Sequence, residues 1–149
     1  MEEFDRLTFE SWSVAFPRDW ADHTQEDGSL YFEAPDSSKG FYAALWSVGA
    51  ERRTPLELIQ AFQETELEAF LPESEGWVLL DRAAGPALES AHGYWRGYNA
   101  ANGYYISGRQ IAAGGLVLRA TFHDYASSSP DASAEYFEPI IGSLTLGRA

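Results

Sequence analysis

Apolar and polar positions follow two periods along this chain, and each predicts its own kind of element. From Leu7 to Phe16 the period is two. Leu7 and Phe9 lie on one parity and Trp12, Val14 and Phe16 on the other, which predicts a strand whose buried face changes at a bulge near residues 10–11. Pro17 ends that strand and Arg18-Asp19-Trp20 begins a turn. A polar stretch from His23 to Gly28, with an Asp27-Gly28 turn signal, leads into a short strand Leu30-Tyr31-Phe32, giving a hairpin-like start. After the loop Asp36-Ser37-Ser38-Lys39-Gly40, the nearly unbroken apolar run Phe41 to Val48 predicts a central strand.

The period then changes to that of a helix. Thr54-Pro55-Leu56-Glu57 combines an N-cap, a proline suited to the first helical position and the glutamate of a capping box. Leu58, Ile59, Phe62, Ala69 and Phe70 continue it as an apolar stripe, and Pro72 stops it, so residues 55–70 are predicted as a helix. Trp77-Val78-Leu79-Leu80 reads as the next strand, followed by a break at Gly85-Pro86. The segments His92–Ala100, Tyr104–Ala112 and Leu116–Phe122 alternate again, separated by a type I′ signal at Asn102-Gly103 and a turn at Gly114-Gly115. They predict an antiparallel meander over 92–122. A helix-entry loop at Ser127-Ser128-Ser129-Pro130-Asp131 precedes the stripe Tyr136, Phe137, Ile140 and Ile141. Pro139 is expected to kink or shorten this second helix, with Gly142 as its C-cap and Leu144 and Leu146 as a closing strand or tail. The order implies one α+β domain over residues 1–149: an antiparallel sheet of about six to seven strands with two main helices packed on it.

Composition narrows the function. The chain has 149 residues, 45% apolar and 15% aromatic, enough for a well-filled core. Its formal net charge of -13 opposes nucleic acid and anionic membrane surfaces and favours a basic protein partner. It has no cysteine, which removes disulfides and thiolate metal sites. The acidic start Glu2-Glu3-Phe4-Asp5-Arg6 lacks a signal-peptide core, and no apolar run approaches the ~20 residues of a membrane span, so a cytoplasmic location is expected.

Candidate chemistry is sparse. His23 lies in a polar loop and His92 at a strand start, where structural roles are expected. His123 is followed by Asp124, but neighbours on a strand point to opposite faces, which argues against a catalytic pair. There is no Gly-x-Ser-x-Gly elbow, no His-x-x-x-His spacing and no phosphate loop, so neither catalytic residues nor a metal or cofactor is expected. Two features point to a partner instead. Tyr94, Trp95, Tyr98, Tyr104 and Tyr105 crowd one hairpin, either as cross-strand core packing or as a face that holds a partner, and Arg96 and Arg109 either pair with acidic neighbours or clamp a partner carboxylate. Glu64, Glu66 and Glu68, with Glu57, Glu73 and Glu75, form an acidic ridge expected to face water or to steer a basic partner.

The opening Ser13-Val14-Ala15-Phe16-Pro17-Arg18-Asp19-Trp20 resembles the strand, Pro, x, x, Trp signature of the PsbP-like fold. Similar pieces follow in order: Phe41 to Val48, Thr54-Pro55-Leu56-Glu57, Gly93-Tyr94-Trp95-Arg96, and a closing Phe137 to Leu144 helix. That fold includes the extrinsic PsbP subunit of photosystem II, a yeast protein that binds the Ran GTPase, bacterial lipoproteins and the Eag-type chaperones of type VI secretion. The resemblance implies protein binding, and the Eag branch implies a homodimer that shields apolar segments of a secreted effector. Three expectations therefore stand: an effector chaperone, an immunity protein that uses its acidic surface against a basic toxin, or a ligand-binding protein or enzyme with a sheet-face pocket near His123.

Overall fold

The capping signal at Thr54 is realised in full. In the computed structural model Thr54 Oγ1 accepts from the Glu57 N–H at 3.2 Å and Glu57 Oε1 accepts from the Thr54 N–H at 3.0 Å. Helix α1 runs Pro55–Phe70, the predicted bounds. The structure describes residues 3–24, 30–48, 52–87 and 89–147, so the Asp27-Gly28 turn signal lies outside the described residues.

The apolar parity change near residue 10 is a hairpin, not a bulge in one strand. Strand β1 (Phe4–Thr8) pairs antiparallel with β2 (Trp12–Pro17), and the Phe9 N–H donates to the Trp12 carbonyl at 2.8 Å across the turn. Strands β3 (Ala21–Asp22), β4 (Leu30–Glu33) and β5 (Lys39–Ser47) follow, then α1 and β6 (Val78–Ala87). The meander is β7 (Ser90–Asn99), β8 (Tyr104–Ala113) and β9 (Leu116–Asp124), and the chain closes with α2 (Pro130–Ser143) and β10 (Thr145–Leu146). One antiparallel sheet has the order β3-β4-β5-β9-β8-β7-β6, and a small sheet β1-β2-β10 lies beside it.

Four local expectations are corrected. Strand β6 runs through Gly85-Pro86, because it is the outermost strand and the proline's missing N–H faces no ladder partner. Pro139 does not shorten helix α2, which runs on to Ser143, because its exposed position lets water serve the freed carbonyl one turn earlier. Gly142 is inside that helix and Leu144 is its C-cap. The two-residue turn with φ positive at both positions is Gly114-Gly115 (φ 57 and 79), whereas Asn102-Gly103 ends a four-residue loop in which only Gly103 has positive φ, at 60.

Period-two alternation on β7 to β9 gives the main sheet two different faces. α1 covers one, packing mainly over β7, β8 and β6. It comes close because the strands present glycine there: a Cβ on Gly93 would lie 2.5 Å from Ile59, and one on Gly108 would collide with the Trp95 indole. α2 and β2 cover the other face. Phe16, Phe41, Phe122, Phe137 and Ile140 form the main core there, all under 4% exposed. No helix among the described residues is long and apolar enough to cross a membrane.

Candidate functional site

Under α1 lies a chain of buried polar groups. Glu66, 1% exposed, accepts hydrogen bonds from Trp95 Nε1 at 3.0 Å, Gln110 Nε2 at 2.9 Å and Arg119 Nε at 2.8 Å. Gln110 Oε1 accepts from Gln63 Nε2 at 3.0 Å, and Gln63 Oε1 accepts from Arg82 Nε at 2.9 Å. A buried carboxylate is costly unless paired and fully hydrogen-bonded, and this one is both.

Beside this network, between α1 and β5, runs a groove of about 580 Å³ floored by Arg119 and Thr121 and walled by Phe70 and Tyr42. Strand β5 carries large apolar side chains to the surface: Tyr42 is 41% exposed, Leu45 38% and Trp46 48%. The Trp46 ring lies 6.1 Å from that of Phe62, and the Arg119 guanidinium sits over both rings, at 5.8 and 4.7 Å from their centroids. The expected central strand at Phe41–Val48 is realised, since β5 lies between β4 and β9, but past Phe41 much of its apolar run is exposed. Val78, Leu79 and Leu80 on β6 are a second exposed apolar strip.

The opposite face, between α2 and β6 to β8, holds a separate cleft of about 560 Å³. Here the hairpin residues Tyr94, Arg96, Tyr105 and Arg109 come together, with Ser107. Arg96 forks onto Asp81, Nε to Oδ1 at 2.8 Å and Nη2 to Oδ2 at 3.0 Å, which raises its pKa further. Arg109 lies over the Tyr94 ring at 5.0 Å. Its buried Nε and the buried Ser107 Oγ have no hydrogen-bond partner. Burial pulls the Arg109 pKa below the usual arginine value, and burial raises that of the Tyr105 phenol.

Three residues expected to meet a partner do not reach the surface. Trp95 is fully buried, stacked on Phe70 at 6.0 Å, since its parity is the one that faces α1. Tyr105 is 1% exposed and packs on Phe137. Glu66 leaves the acidic ridge for the interior, whereas Glu64 and Glu68 are exposed as expected. Tyr98 is half-buried against the main core. His123 is 3% exposed, with Nδ1 at 2.7 Å from the Tyr104 hydroxyl and Nε2 at 2.8 Å from Thr121 Oγ1. Burial lowers its pKa to about 3, which keeps it neutral near pH 7. Asp124 lies on the other face and accepts from Ser133 Oγ at 2.7 Å, so the two form no catalytic pair. No group of three or more metal-ligating side chains is present among the described residues.

The sequence reading passed over Ser107, Arg119 and the exposed aromatics of β5. Arg119 had a signal: it shares parity with Val117 and Thr121 inside an apolar strand, and so must face α1. Glu66 had one too, four residues after Phe62 and four before Phe70, on the helix stripe itself.

No family model matches the chain, and no curated protein matches it closely in sequence. Among solved structures it is similar to the cyanobacterial PsbP protein CyanoP from Synechocystis, with a TM-score of 0.69 at 12% identity over 98% of this chain and 94% of that one. It is also similar to a Pseudomonas aeruginosa protein described as a putative regulator, with a TM-score of 0.51 at 17% identity over 94% and 92% of the two chains. A Bacteroides thetaiotaomicron protein matches with a TM-score of 0.50 at 14% identity, over 92% of this chain and 45% of that one. The fold is thus α+β and PsbP-like.

Proposed function

We propose that this chain is a non-catalytic protein-binding module that shields an apolar segment of a partner in the groove between α1 and β5, as a chaperone of a secreted effector does in a bacterial secretion or toxin system. The observation that carries the reading is Trp46. A large ring is held on a strand, braced by Phe62 and Arg119, and still leaves 48% of its surface in water. Exposed aromatic anchors fixed in advance are what interface hot spots are made of. Trp46 is not itself in the groove lining but lies on the same face of β5 as Tyr42 and Ala44, which are, and Tyr42 and Phe70 supply the groove's apolar walls. The neutral, enclosed His123 is consistent with a binding role.

The test is a tagged pull-down from native cells, with the captured partner identified and its bound segment mapped by truncation. Trp46→Ala is expected to weaken capture by at least about 2 kcal/mol. Losing its packing on Phe62 and Arg119 should cost about 1–2 kcal/mol of unfolding free energy, so capture is compared on folded protein. Full capture by both Trp46→Ala and Tyr42→Ala would rule this groove out.

One observation favours the immunity reading: Glu64 and Glu68 are exposed on α1 alongside Glu57. If the captured partner is a basic toxin domain, and reversing Glu64 and Glu68 to lysine abolishes capture while Trp46→Ala does not, immunity replaces the chaperone role. Glu66 is left out of that test because it is interior.

A further inference from the structure

The cleft on the α2 side contains an electrostatic imbalance that its own side chains do not resolve. Of its two guanidiniums, Arg96 has both Asp81 oxygens, whereas Arg109 Nε is bonded by no carboxylate among the described residues and only feels the charge of Asp81. Arg109 Nε is buried and unbonded, and Ser107, 0% exposed, carries a hydroxyl equally without a partner. These are the only two such buried side-chain atoms among the described residues. Each buried polar group left unbonded costs stability. A chain with a net charge of -13 has carboxylates to spare, yet among the described residues none bonds Arg109 Nε. The Arg109 guanidinium is nonetheless held in a fixed position over the Tyr94 ring.

The far wall has the opposite sign. Asp131, Glu135 and Glu138 of α2 line the cleft with exposed carboxylates. A phosphate dianion reaching Arg109 would meet them at close quarters. A molecule that joins one carboxylate to a cationic group would satisfy both walls. We propose that this cleft binds a zwitterionic amino-acid unit, its carboxylate on the Arg109 guanidinium and the Ser107 hydroxyl and its cationic group on the carboxylates of α2. The unit is either a free basic amino acid or the C-terminal residue of a peptide.

The experiment is calorimetric titration of the full chain with L-arginine and with the tripeptide Ala-Ala-Arg, beside agmatine, which lacks the carboxylate, and acetate, which lacks the cation. Saturable binding of L-arginine or the tripeptide is expected, at least about tenfold tighter than agmatine or acetate. Binding of the tripeptide alone assigns the site to chain termini, and binding of both assigns it to the free amino acid. Arg109→Met and Ser107→Ala should each weaken it by about tenfold or more. In the unmodified chain the ring resonances of Tyr94 should shift on titration, a readout that does not depend on any variant folding. Agmatine binding as tightly as L-arginine, unchanged binding by Arg109→Met, shifts at Trp46 in place of Tyr94, or no binding of either arginine probe would each overturn the proposal.

Discussion

Two polar clusters sit on opposite faces of the same strands, and they are built to opposite rules. Under α1, Glu66 accepts three hydrogen bonds and Gln63 and Gln110 pass the network on to Arg82. On the α2 side, Arg109 Nε and Ser107 Oγ are equally hidden, and neither makes a hydrogen bond of standard geometry among the described residues, although the Ser107 hydroxyl acts on the Tyr105 phenol. A satisfied network fixes how a helix sits on a sheet; an unsatisfied one costs stability and leaves polar groups open to a ligand. Buried charge alone therefore does not mark a site, and the count of its partners does.

The largest effect that sharpens this contrast should come from Arg119→Met. It strips the cation from a 1%-exposed carboxylate and is expected to cost about 3–5 kcal/mol in urea unfolding. Gly108→Ala tests the tightness of the same face, since its methyl group would drive into the Trp95 indole, and a loss of about 1–3 kcal/mol is expected. Arg109→Met should act with the other sign, leaving stability unchanged or raising it by about 1 kcal/mol, because it removes an uncompensated buried donor. A separate effect, read only as a dependence on pH, concerns His123. Its folded pKa of about 3 lies below the unfolded value of about 6.5, so its contribution is fully present above pH 6.5 and is lost as pH falls toward 3. The difference in unfolding free energy between His123→Asn and the unmodified chain should therefore shrink across that window, and a constant difference would mean that His123 does not titrate there.

The fold was largely legible because its signals are local. The Thr54-Pro55-Leu56-Glu57 box set α1 to the residue, and alternation on β7 to β9 set the meander. Prolines misled because their cost depends on what lies outside the segment: Pro86 is harmless on an outermost strand and Pro139 on a wetted helix face. The candidate site was half legible. Tyr94, Arg96 and Arg109 do share a cleft, since Tyr94 and Arg96 alternate on one face of β7 and Arg109 is the cross-strand partner of Tyr94. Of the two roles open to Trp95, core packing is the one realised, and Gly93 and Gly97, on its own parity, marked the side where a helix packs close. Exposure of Tyr42, Leu45 and Trp46 was not legible at all, since an apolar run looks the same whether or not another element covers it.

The most direct test of the difference between the two clusters is urea unfolding of Arg109→Met and Arg119→Met, each with and without L-arginine. The account predicts that Arg109→Met is at least as stable as the unmodified chain and gains nothing from L-arginine, while Arg119→Met is destabilised by about 3–5 kcal/mol and still gains from it. An Arg109→Met chain as unstable as Arg119→Met would contradict it, and would make Arg109 part of the architecture like its counterpart under α1.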